Sequence, residues 1–129
     1  MSSVPGASEL METYLSWTIN SLQQMRALIE ACAAHGPDPA QLDNIHDIAH
    51  NIKGMGASFG FPLMSKAGAS LCAYLRALKG AKPNHDVLDA HLRSFEVIIA
   101  NRIEGEGGAT GVTLIDRLNQ LVDRAHKAA

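Results

Sequence analysis

His50, Lys53, Gly54 and Ala57 are the residues of this chain whose types and spacing could do chemistry, and they lie in the stretch "AHNIKGMGASFG", residues 49–60. A neutral imidazole is a competent nucleophile towards phosphorus, and a histidine of ordinary pKa, about 6.5, is mostly neutral near pH 7. Phosphoryl transfer has a loose transition state, so a carrier must mainly position its nucleophile and offset oxyanion charge. Lys53, three residues after His50, suits the second task. Gly54 and Gly56 each cost about 0.5–1 kcal/mol relative to alanine inside a helix. A sequence that accepts this needs bare backbone near the histidine. Gly54 presents no side chain over His50, and Ala57 extends that low patch by a turn. The expected purpose is clearance for a bulky protein donor bringing an acyl phosphate to the ring.

The elements that must position these residues are helical. Ser8 is expected to cap a first helix that runs to about His35. Leu10, Tyr14, Trp17 or Thr18, Leu22, Met25, Ile29 and Cys32 form its apolar stripe. After "HGPDPA", Asp38 and Pro39 supply an N-cap and first turn for a second helix to about Phe59. At about 100° per residue, positions 42, 45, 49, 52, 56 and 59 face the core, while 46, 50, 53, 54 and 57 share the flank. His50 therefore sits beside the buried stripe, with its ring able to reach solvent. Gly60 stops the helix, and Pro62 starts a third that ends near Lys79. So short a link makes helices two and three an antiparallel hairpin. Asn84 caps a fourth helix, and Thr113 to about Lys127 forms a last one, after a glycine run at 105–111 read as a flexible loop. That run lacks the strand and the Lys-Ser/Thr of a phosphate loop. The expectation is an all-α, up-and-down four-helix bundle with an additional helix, five in total. It forms one domain over residues 8–127 behind a flexible N-terminus at 1–7.

Hairpin geometry sets His50 level with Leu71 and Cys72, and Lys53 level with Gly68. Arg76, one turn beyond Cys72, is a second candidate cation at the rim. His46 stands four residues before His50, so the two could share a metal, with Asp43 or Asp47 completing the set. Lys53 beside the cation argues against this, and His46 is expected as a surface residue at the edge of the docking patch, with no metal bound. His35, His85, His91 and His126 lack such company and read as solvated or structural. Met11, Leu15 and Met64 read as core. A module that binds a partner without transferring anything is a third class, but it gives no reason for an imidazole with a lysine at i+3.

Composition bounds the rest. The chain has 129 residues, 47% hydrophobic and 19% charged, as in globular domains rather than disordered chains. A net charge of −2 gives no electrostatic footprint for nucleic acid. Cys32 and Cys72 match neither a disulfide scaffold nor a zinc spacing and read as buried, reduced thiols. No secretory signal and no membrane-length apolar run is visible, so a cytoplasmic location without a membrane role is expected.

The stretch also resembles the signature of histidine-containing phosphotransfer (Hpt) domains: His, hydrophobic, Lys-Gly, small, hydrophobic, Gly. His50, Ile52, Lys53, Gly54, Ala57, Phe59 and Gly60 fill those slots in register, and the helical layout is similar from about residue 8 to 127. The resemblance implies that His50 accepts a phosphoryl group from a receiver domain's aspartyl phosphate and passes it to another response-regulator receiver. The donor could belong to a hybrid sensor kinase. It also implies no kinase activity and no nucleotide site, and a monomer with no cofactor of its own is expected, the magnesium ion belonging to the partner receiver. Several members carry a glutamine on the third helix that hydrogen-bonds near the histidine. Cys72, a weaker partner, takes that position here.

Overall fold

The computed structural model describes residues 6–128. These form five helices: α1 (Ala7–His35), α2 (Pro39–Gly56), α3 (Pro62–Ala77), α4 (His85–Ala100) and α5 (Gly108–Ala128), with a single 3-10 turn at Ala57–Phe59 and no strand among the described residues. α1, α2, α3 and α4 close a ring in which each packs on two neighbours, and α5 lies against α3 and α4. The expected all-α bundle with one added helix is the observed architecture. Of the N-terminal segment 1–7, residues 1–5 lie outside the described residues.

Local chemistry explains most boundaries. The Asp38 side chain accepts a hydrogen bond from the Ala40 backbone N–H at 2.9 Å, and Pro39 opens α2. The Asn84 side chain accepts from the backbone N–H groups of Asp86 and Val87 at 2.9 and 3.3 Å. Its own backbone N–H donates to Tyr74 Oη at 2.7 Å. Asn84→Ala therefore leaves two N–H groups of α4 without that acceptor. It should lower unfolding stability by about 0.5–2 kcal/mol in a urea titration.

Four expectations shift. α1 begins before Ser8, which lies inside the helix behind Gly6 as N-cap. Leu10 is 49% exposed. Tyr14, one turn later, is buried and stacks on Phe59 with ring centroids 4.4 Å apart, so full burial on α1 begins a turn after Leu10. α2 ends at Gly56 rather than Phe59, tightening into the 3-10 turn before Gly60 adopts a left-handed φ of 88°. α5 starts at Gly108, not Thr113, and the glycine run is pinned rather than loose. Gly105 N–H donates to the Gly60 carbonyl at 2.9 Å, and a Cβ on Gly111 would overlap the Glu106 carbonyl.

The core holds Tyr14, Leu15, Met25, Ile45, Ile52, Met64, Leu71 and Phe95, with both cysteines buried and free. The core also holds one histidine, His91. His91 has no exposed surface; its Nδ1 lies 2.7 Å from the Val87 carbonyl and its Nε2 2.9 Å from Ser70 Oγ. Nδ1 must donate to the carbonyl, so Nε2 accepts from the Ser70 hydroxyl. Burial pushes the His91 pKa below its usual value, with the Val87 carbonyl partly offsetting this. Below about pH 6.5 the unfolded chain takes up a proton that the folded chain refuses, so stability falls as acid is added and is fully present above that pH. Melting curves at about pH 7.5 and about pH 5.5 should show a larger loss for the natural chain than for His91→Gln, which is neutral at both.

Candidate functional site

The α2–α3 hairpin is the most extensive helix pairing of the fold, and two glycines set its closeness. A Cβ on Gly56 would stand 2.8 Å from the Phe61 carbonyl oxygen and 2.9 Å from both Ser65 N and Met64 Cβ. A Cβ on Gly68 would stand 3.0 Å from the Ala49 carbonyl oxygen and from the backbone N and Cβ of Lys53. These glycines let two backbones touch. Gly56 therefore serves packing, which corrects the expectation that both mid-helix glycines of the stretch open a docking surface. Gly68 lies buried beneath Lys53, in the register expected of the hairpin, and contributes no surface.

Gly54 behaves differently. Its helix neighbours excepted, no atom lies within 4 Å of where its Cβ would be, and Gly54, Ala57 and His50 are all exposed. The imidazole of His50 thus stands on an open flank of α2, and the next turn is flat. Lys53 is half-buried, its backbone and Cβ held against Gly68. That anchoring fixes the root of the cation one turn from the imidazole. The turn beneath is held by Ser65, whose hydroxyl donates to the Lys53 carbonyl at 2.8 Å and accepts from Ala57 N–H at 2.9 Å. A helix end leaves such carbonyls unsatisfied, and Ser65 answers one of them. Sequence reasoning missed Ser65, because its partners lie 12 and 8 positions away and nothing local marks it.

His46 is half-buried, with 28% of its side chain exposed, and not the surface residue expected. Its ring lies nearly parallel to that of His50, centroids 6.2 Å apart, and its Nε2 is buried without a hydrogen-bond partner. The Asp47 carboxylate is 3.9 Å from its Nδ1. Among the described residues, no three His, Cys, Asp or Glu side chains gather where a metal could sit. Cys72 is buried, and its thiol points at the His46 carbonyl at 3.9 Å, not at an imidazole. Burial raises the Cys72 pKa, and the charges of Lys53 and Arg76 partly counter that. Arg76 is exposed on the last turn of α3, two turns past Gly68 and so further along the hairpin than Lys53.

The fold and flank together define a helical bundle with an exposed imidazole beside a flat turn of α2. The chain matches the family model of the Hpt domain over residues 9–128 and belongs to that family. Hpt domains are phosphocarrier modules of two-component phosphorelays, distinct from kinases, and they interact with receiver domains. No curated protein and no solved structure matches the chain. Among the described residues, no helix is long and apolar enough to cross a membrane.

Proposed function

We propose that His50 is the phosphoacceptor and that this chain carries phosphoryl groups between receiver domains in the cytoplasm. The incoming aspartyl phosphate loses its acyl O–P bond as a ring nitrogen of His50 forms the N–P bond, and the receiver's carboxylate is the leaving group. Lys53 offsets charge on the phosphoryl oxygens. Magnesium comes with the receiver, and the carrier needs no cofactor of its own. A receiver of a hybrid kinase fits as donor and that of a separate regulator as acceptor.

The observation that carries this reading is the open space over Gly54 beside an exposed imidazole. A small molecule is gripped by a concave pocket, whereas a domain-sized donor must lay its own surface across the helix. The test is incubation of the chain with a phosphorylated receiver and Mg²⁺, followed by separation of the two proteins. Label moving to the chain is the expected result. A stable complex that leaves all label on the receiver would instead make this a binding module.

A further inference from the structure

Across the bundle from the α2–α3 hairpin, α1 and α4 leave a groove of about 470 Å³ between them. Leu15, Leu22 and Ile99 line it, and Ile19 remains 47% exposed at its rim. A lone exposed isoleucine is ordinary on a monomer. Its setting is not. Two ion pairs join the helices at opposite ends of the groove: Arg26 Nη2 reaches both carboxylate oxygens of Glu96 at 2.6 and 2.7 Å, and Arg102 lies 3.8 Å from Glu12. At one end the acid is on α1 and the base in the turn just after α4; at the other end the base is on α1 and the acid on α4.

We infer that a second copy of this chain docks here, α1 running antiparallel to its twin across a two-fold axis through Ile19. Glu12 and Arg26 are both seven residues from Ile19, one on either side, which is two helical turns. Under that axis Glu12 faces Arg26 of the partner subunit, and Arg102 faces Glu96 of the partner subunit. All four corners then meet the opposite sign, while Ile19 meets its own counterpart over an apolar floor. A two-fold interface demands such self-complementarity from a single patch, and an unrelated partner would not. Ser16 and Gln23, between the charges and Ile19, add polar contacts to the rim. The dimer departs from the monomer expected from sequence. It also leaves both His50 flanks uncovered, because each lies on α2 beside α3, across the bundle from the groove.

Light scattering of the full chain after size separation, from about 10 μM to about 1 mM, reads the association. The molar mass should rise from one chain towards two across that range. Ile19→Glu places a charge on the axis and should weaken association by about 30-fold or more. Exchanging one ion pair, Arg26→Glu with Glu96→Arg, keeps the pair within the chain but sets like charges against each other across the axis. That variant should be monomeric with an unchanged helical circular dichroism spectrum. Adding Glu12→Arg and Arg102→Glu restores opposite signs at every corner and should restore the dimer. A natural chain of single-chain mass throughout would overturn the proposal. So would a single exchange that dimerises like the natural chain, or a double exchange that stays monomeric.

Discussion

Replacing His50 with glutamine should reduce phosphoryl uptake from a phosphorylated receiver to background, a loss of at least about a thousandfold in rate. Glutamine keeps a polar side chain of similar reach but has no nitrogen lone pair available to attack phosphorus. The fold should not notice. His50 is exposed, and substitutions at such positions usually shift stability by less than about 0.5 kcal/mol. Lost transfer with an unchanged melting temperature is therefore the expected pair of results. Uptake by the His50→Gln chain at even a tenth of the natural rate would place the nucleophile elsewhere.

The second large effect separates two glycines that differ in position by only two residues. Gly54→Leu gains helix propensity, about 0.5–1 kcal/mol, and its Cβ meets no side chain and no other element within 4 Å. The variant should be at least as stable as the natural protein and should transfer at least about tenfold more slowly, because the added bulk stands where the donor must lie. Gly56→Ala should do the reverse. Its new methyl meets the Phe61 carbonyl oxygen at 2.8 Å and Ser65 N at 2.9 Å, both backbone atoms that cannot swing away. Overpacking of that kind costs about 1–3 kcal/mol, while the transfer rate per folded molecule should stay close to natural. Urea titration and single-turnover transfer, measured on both variants, check the crossed pattern. Equal effects of the two substitutions on transfer would remove the clearance argument.

These contrasts also show what the sequence could and could not say. Helical period and capping residues are local signals, so α2, the Asp38 and Asn84 caps and the antiparallel hairpin were all legible. The level of Lys53 with Gly68 was legible too, since a short turn of known position fixes register. The different duties of Gly54 and Gly56 were only half legible. Periodicity places 56 on the core stripe, but the closeness of α3 is a tertiary fact. Nothing local says that Gly111 must fit against the Glu106 carbonyl, so by sequence the glycine run before Thr113 reads as a flexible loop. Leu10 obeys the apolar period of α1 yet is 49% exposed, since the period names a face of the helix and not where along it that face is covered. The helical angle of His46 puts it at the surface, whereas tertiary packing buries its Nε2.

The account rests on a phosphoryl group bonded to one nitrogen of one residue, and site mapping tests that most directly. The natural chain is labelled by a phosphorylated receiver, digested under alkaline conditions that preserve N–P bonds, and its peptides are sequenced by mass spectrometry. The account predicts a single acid-labile phosphoramidate on His50. A phosphoryl group found on His46, on an aspartate or on a hydroxyl would contradict it.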